Sequence, residues 1–311
     1  MKCAVIYFSQ TGNTEKIAQA IREGVKQIAG NCEIIPFMEA NPRQLYKYDL
    51  IGLGSPIFSF VEPLNVKLFV NNLRNVCGKH FFVFSTHGAH GEPFVSSMYQ
   101  KLKARGVTII GMRDWYASVY TCQIPKPYHT DGHPDQIDLK DAEEYGQDMV
   151  GRSRRISAGE TGLIPPEPAF VTPWVKIGDR DMSKKEQRFE SMVQFHKEKC
   201  HFPECSLCID NCPMDGIDLT VDPPVIAKPC ENCMFCVKIC PTGAIDGTIY
   251  SDWAAPRLTK DLWTFLNTSL PQAESEGRFR RLVTPEKVGT GQPIYKTCKH
   301  PYWIIGKGLN L

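Results

Sequence analysis

Residues 2–7 are a short apolar run with β-branched and aromatic character, and the pattern changes at Ser9. From there Ile17, Ala18, Ile21, Val25 and Ile28 recur every three or four positions and stop at Gly30. That period predicts an amphipathic helix closed by glycine. The same change of period repeats down the first half of the chain. Cys32–Pro36, Asp49–Gly54 (DLIGLG), Phe81–Ser85 (FFVFS) and Val107–Met112 read as further strands. Pro63–Leu73, Pro93–Arg105 and Ile137–Arg155 read as helices. Strands alternating with helices predict a parallel sheet covered on both faces.

The rest of the chain is less regular. Arg113–Pro134 holds Trp115, Tyr116, Tyr120, Tyr128, His129 and His133 without a clear period. A loop this long in a compact domain is more often functional than idle, so it is expected to cover a ligand or meet a partner. Ser157–Thr172 contains GLIPPEPAFVTP and reads as an interdomain connection. Ser183–Lys199 reads as a charged helix with Phe189, Met192, Val193 and His196 on one face. Beyond Pro256, Leu262, Trp263, Phe265 and Leu266 mark a short amphipathic helix, and Cys298 is a spare thiol. A chain of 311 residues predicts about two domains. The expected map is residues 1–156, a linker and helix over 157–199, a small domain over 200–250, and an extension over 251–311 that packs on the domains.

Composition narrows the classes. The formal net charge is +2, which favours neither nucleic acid nor a membrane surface as partner. No apolar stretch approaches the roughly 20 residues that span a bilayer. The first residues read as a strand and not a signal peptide, so a soluble cytoplasmic protein is expected. The charge is uneven, however. Seven acids face two lysines over 200–250, whereas nine Lys and Arg face four acids from Arg257 onward. Packing of these regions on each other, or a partner surface, would use that asymmetry.

Eight of the thirteen cysteines fall between Cys200 and Pro241. Cys230, Cys233, Cys236 and Cys240 spell C-x2-C-x2-C-x3-C-P, the run that wraps a [4Fe–4S] cluster. Cys205-x2-Cys208-x3-Cys212-Pro213-x3-Ile217-Asp218 repeats as Cys233-x2-Cys236-x3-Cys240-Pro241-x3-Ile245-Asp246, at a constant offset of twenty-eight. A repeated half-motif predicts a small pseudo-symmetric domain whose halves pack on each other. Cys200 lies five positions before Cys205, where the usual gap would place its counterpart at Phe202. That spacing leaves a [2Fe–2S] or three-iron first site as an alternative. Zinc lacks a need for the Cys-Pro endings, and disulfides need an oxidising compartment.

The turn between the first strand and first helix is Ser9-Gln10-Thr11-Gly12-Asn13-Thr14. Hydroxyls, a glycine and a helix N-terminus converge there on an anion, and the absence of lysine separates the turn from a nucleotide-hydrolysing loop. A capped helix with no ligand is the simpler alternative. Gly52-Leu53-Gly54 is no dinucleotide fingerprint, because Ser55-Pro56 follows where a helix should open.

S-x-T-G-N-T in this position resembles the FMN phosphate loop of flavodoxins, and the cysteine repeat resembles bacterial two-cluster ferredoxins. Together they resemble the flavodoxin–ferredoxin fusion proteins of anaerobic bacteria and archaea, over roughly residues 2–112 and 200–250. The resemblance implies an α/β fold, a flavodoxin-like doubly wound five-stranded parallel sheet of order 2-1-3-4-5, followed by a small α+β ferredoxin-like domain. It implies FMN held by Ser9–Thr14, by Ser55, Pro56, Ile57 and Phe58 after the third strand, and by Thr86, His87, Gly88, Ala89, His90 and Gly91 after the fourth. Phe58 or Phe60 would stack on the flavin or belong to the core, and His87 and His90 would approach the ring or stay exposed. Crossed ligation would put one [4Fe–4S] cluster on Cys200, Cys205, Cys208 and Cys240, and the other on Cys230, Cys233, Cys236 and Cys212.

FMN takes two electrons in single steps and each cluster carries one. The expected function is therefore electron transfer between a two-electron partner and one-electron carriers in anaerobic metabolism. The partners would be redox proteins, a ferredoxin or an acceptor enzyme, with a second copy of the chain as a further candidate. A flavin-dependent reductase of a small molecule is the alternative. A cluster-based sensor would need an output domain that the sequence does not display.

Overall fold

The computed structural model describes residues 1–58, 60–120, 124–169, 193–226, 229–231 and 233–292. They divide into two compact units, residues 1–118 with 132–179, and residues 119–131 with 180–311.

The first unit is built on five parallel strands, β1 (Cys3–Tyr7), β2 (Glu33–Pro36), β3 (Leu50–Pro56), β4 (His80–His87) and β5 (Thr108–Tyr116), in the order β2-β1-β3-β4-β5. Four helices cover the sheet, α1 (Asn13–Ala29), α2 (Leu64–Asn71), α3 (Glu92–Lys103) and α4 (Gln136–Ser157). Side chains alternate across a strand, so FFVF in β4 feeds two cores at once. Phe81 and Val83 join Val66, Phe69, Phe94 and Met98 on one face, while Phe82 and Phe84 join Ile17, Ile21, Tyr145 and Met149 on the other. Gly52 and Gly54 stand beside Phe82 and Phe84 in register, and a methyl group on either would lie 2.4 or 2.1 Å from the ring. Their role is to admit two phenylalanines.

The strands and helices expected over residues 1–156 are all present, with shifted ends. The main correction is that β4 and β5 run on together through polar residues, pairing Ser85 with Asp114 and His87 with Tyr116. The irregular stretch thus begins at Ala117, not Arg113. Helix α4 opens on a reciprocal cap in which Asp135 accepts from the backbone of Ile137 and Asp138, and Asp138 accepts from that of Asp135. His133 packs there too, its Nδ1 2.6 Å from Asp138.

The second unit contains the cysteine repeat, and its backbone repeats as well. Helix α5 (Leu207–Asp210) precedes strand β7 (Ile217–Asp218) as helix α6 (Phe235–Ile239) precedes strand β9 (Ile245–Asp246). Strand β6 (Gln194–Phe195) pairs antiparallel with β9, and β8 (Val225–Ile226) pairs antiparallel with β7. Asp215 and Gly243, twenty-eight apart, are both left-handed, with φ 51° and 67°. The helix expected over 183–199 is replaced at its end by β6 and a 3-10 turn at Lys197–Lys199, and residues 183–192 lie outside the described set. The short helix expected around Trp263 is instead the 28-residue helix α7 (Thr248–Ser275). Tyr128 and His129 pack edge-on against Trp263, and both are buried. Burial, then Arg281, pulls the His129 imidazole down to about 4. In the second unit these two aromatics are therefore packing residues.

Candidate functional site

At the carboxyl end of β1 the chain turns through Ser9–Gly12. Gly12 is left-handed (φ 86°), and α1 starts with no side chain capping its free N–H groups. Ser9 Oγ accepts the Gly12 N–H at 3.2 Å. Asn13 donates to Ser118 O at 2.8 Å, and the Thr14 and Thr86 hydroxyls meet at 2.7 Å. Asn13 and Thr14 are buried and Ser9–Gly12 are half-buried, so the open helix end is backed by a fixed polar floor. Thr14 ties the first loop to the end of β4, a link that sequence spacing does not reveal.

The two other expected loops lie at the ends of β3 and β4. Ser55 and Pro56 close β3, and Thr86 and His87 close β4. Phe58 and Val61 bond each other's backbone at 2.9 and 3.2 Å, which folds Phe60 into a left-handed turn (φ 76°). Phe58 packs against the core edge with Phe8, and Phe60 lies 5.0 Å from His90, centroid to centroid. His87 is buried, only 6% exposed, and its Nε2 sits 2.6 Å from Asp114. His87 Nδ1 and Ser85 Oγ are buried without a protein partner. Gly91 faces both Asp114 and Ile57, with 3.5 Å of room for a methyl group, which brings the end of the second loop beside Ile57. Asp114 and Tyr116 join this constellation only because β5 extends, and no apolar period marks that extension.

These features fit FMN. An uncapped helix end suits the phosphate, and orphaned buried polar atoms beside two pliant loops suit a flavin. A separate cleft of about 400 Å³ runs along the outer edge of β5, lined by Tyr99, Met112, Arg113, Arg152 and Pro165.

In the second unit all eight cysteines of the repeat are half-buried and free of disulfides. They act on one another across the repeat. Burial, then the thiols of Cys240, Cys200 and Cys205, push Cys208 up to about 12. Burial, then Cys233, Cys230, Cys212 and lastly Cys208, push Cys236 well above its ordinary value. Sulfur donors that raise one another on becoming thiolates are relieved by a cation, so the donor set fits a metal cluster. Backbone donors already point at two of the sulfurs. Gly216 N–H lies 3.3 Å from Cys212 Sγ, and Ala244 N–H lies 3.1 Å from Cys240 Sγ, again twenty-eight residues apart. Such bonds stabilise a metal-bound thiolate.

Residues 4–124 match the family described as a flavodoxin domain. An uncharacterised protein of Methanocaldococcus jannaschii is 30% identical over 167 residues, covering 48% of this chain and 99% of that protein. A flavodoxin of Megasphaera elsdenii is 29% identical over 114 residues, covering 34% of this chain and 80% of its own. Among solved structures, an archaeal flavodoxin superposes with a TM-score of 0.40 at 23% identity, over 50% of this chain and 99% of that one.

Proposed function

Because the chain belongs to the flavodoxin-like family through its N-terminal domain, we propose that it is an iron–sulfur flavoprotein carrying electrons between FMN in the first unit and two [4Fe–4S] clusters in the second. The observation that carries the second half is a set of eight half-buried thiols in which Cys240 of the second half acts on Cys208 of the first, and Cys212 of the first acts on Cys236 of the second. A two-cluster ferredoxin-like domain accounts for that crossing, for the repeated N–H to sulfur bonds and for the repeated left-handed turn.

When bound, FMN supplies two-electron capacity delivered one electron at a time, and the clusters supply one-electron steps. The chain's own part is to hold and tune them. Ser9–Thr14 would take the phosphate on backbone N–H groups and hydroxyls. The loops at Ser55–Phe58 and Thr86–Gly91 would flank the ring. Cys200, Cys205, Cys208 and Cys240 would hold one cluster, and Cys212, Cys230, Cys233 and Cys236 the other. Redox proteins are the partners this reading calls for, in a reducing cytoplasm where thiols stay available. Among the described residues no helix is long and apolar enough to cross a membrane.

A second reading has one observation behind it. The His87–Asp114 pair at the loop end could exchange a proton with a flavin, which would suit a reductase acting on a small molecule. Turnover of such a substrate with the His87→Ala variant impaired would favour it.

The deciding experiment is anaerobic purification with iron, zinc, sulfide and flavin analysis. About eight irons per chain and one non-covalent FMN are expected. Zinc in place of iron, or FAD in place of FMN, would overturn the assignment.

A prediction for the phosphate site follows from the Thr14–Thr86 link. The Thr11→Ala, Thr14→Ala double variant should bind FMN at least about tenfold more weakly, since each charge-assisted bond contributes roughly 1.5–3 kcal/mol. Iron content should not change. Unaltered flavin affinity, measured by fluorescence quenching on the flavin-free protein, would move the phosphate elsewhere.

A further inference from the structure

The two halves of the cysteine repeat match in backbone but differ in one side chain that matters chemically. Cys212 and Cys240 each accept a backbone N–H from four residues on, at 3.3 and 3.1 Å. Each is followed two residues later by the position just before the left-handed turn at Asp215 or Gly243. In the second half that position is Thr242, whose Oγ1 lies 3.7 Å from Cys240 Sγ. In the first half it is Met214, which has no hydroxyl to offer.

We propose that Thr242 raises the reduction potential of one cluster only, the one held by Cys200, Cys205, Cys208 and Cys240, by donating its hydroxyl to the Cys240 sulfur. The inference rests on the two-cluster reading above. A metal-bound cysteine is a thiolate and has no proton, so the hydroxyl must be the donor. A hydrogen bond to a ligand sulfur withdraws negative charge and favours the more reduced, more negative cluster. The crossing makes the consequence specific. Thr242 belongs to the second run by sequence, yet the thiol it touches is Cys240, which the crossed ligation proposed above places with Cys200, Cys205 and Cys208. Other influences, such as the exposed acids Glu204, Asp210 and Asp215 in the first half, are common to every variant compared. Thr242 is thus a positioning and tuning residue, and it makes two otherwise matched clusters unequal. Electrons entering the pair would have a preferred resting place.

The test uses the anaerobically purified, fully loaded protein. Iron content is measured first, so a failure to find two clusters would sink the underlying reading separately from this inference. Redox titration followed by electron paramagnetic resonance then gives a midpoint for each cluster. Thr242→Val keeps the shape and removes the donor. One cluster should move to lower potential while its neighbour stays, and Thr242→Ser should restore it. Met214→Thr installs the missing donor opposite Cys212 and should raise the other cluster. The Cys212→Ala variant identifies which signal is which. Equal shifts of both clusters in Thr242→Val, or no shift in both Thr242→Val and Met214→Thr, would overturn the proposal.

Discussion

Replacing Cys212 by alanine is expected to remove the cluster of Cys230, Cys233 and Cys236, although Cys212 follows the first cysteine run in the chain. Cys205→Ala is expected to remove the other one. The expectation comes from the resemblance to two-cluster ferredoxins and from how the thiols act on each other, Cys212 raising Cys236 more than Cys208 does and Cys240 raising Cys208 more than Cys200 or Cys205 does. Proline at 213 and 241 ends each run and turns the backbone, and the N–H groups of Gly216 and Ala244 then fix the sulfurs of Cys212 and Cys240. Each variant should lose about four of roughly eight irons, leaving one intact resonance signal, and the surviving signals should differ. The loss extends to folding, because binding energy at such a site is folding energy. Helices α5 and α6 and the four two-residue strands have little core of their own, so each variant should also unfold more readily. If Cys212→Ala and Cys205→Ala spare the same cluster, ligation is not crossed, and residues 200–212 form a closed site.

How much of this was legible depends on what the sequence encodes locally. The five strands and four helices of the first unit declare themselves because both faces of the sheet are buried, and Leu50–Leu53 and Phe81–Phe84 are apolar without interruption. The same logic fails where a strand leaves the core. Arg113 and Asp114 break the apolar run, yet the β4–β5 ladder continues to His87 and Tyr116, because backbone pairing does not depend on side-chain polarity. Asp114 was therefore missed as the partner of His87. A register shift between Phe81 and Phe82, where Gly111 follows Ile109 across the ladder, is equally silent in the sequence. Helix α7 extends well beyond the apolar positions 262–266 that signal it, and it runs through Pro256 and Pro271, residues that normally end helices. The placement of residues 119–131 with the second unit depends on contacts more than a hundred residues apart, such as Gly289 N–H to Pro127 O at 2.9 Å. Loop composition gives no hint of such pairings. The cysteine spacing stands at the other extreme, since it is itself local, while the crossing is what the resemblance to two-cluster ferredoxins implies.

The glycines of α1 and α4 should give the largest stability effect outside the cysteines. Gly24 and Gly146 lie where the two helices meet backbone to backbone. A methyl group on Gly24 would sit 1.9 Å from Glu143 O, and one on Gly146 would sit 2.3 Å from Ile21 O. Neither oxygen belongs to a side chain that can swing away, so the helices themselves must separate. Separation would loosen Ile17, Ile21, Val25, Ala142 and Met149, which are all fully buried. Overpacking of this kind costs about 1–3 kcal/mol and sometimes more, against a helix-propensity gain for alanine of roughly 1 kcal/mol. Each of Gly24→Ala and Gly146→Ala should therefore destabilise by about 1–2 kcal/mol net in chemical denaturation, and leucine at either position should do more. Gly151 on the same helix α4 has nothing within 4 Å of its would-be methyl. There alanine brings only its propensity, and Gly151→Ala should be neutral or stabilising by up to about 1 kcal/mol. The comparison separates contact from propensity, because all three substitutions are chemically identical and all three lie within helices. Because the N-terminus of α1 carries the phosphate turn, the two damaging variants should also bind FMN more weakly, whereas Gly151→Ala should not. Equal stability of Gly24→Ala and Gly151→Ala would mean that the helices do not cross at this distance, and the reading of the phosphate turn as a rigid cradle would fall with it.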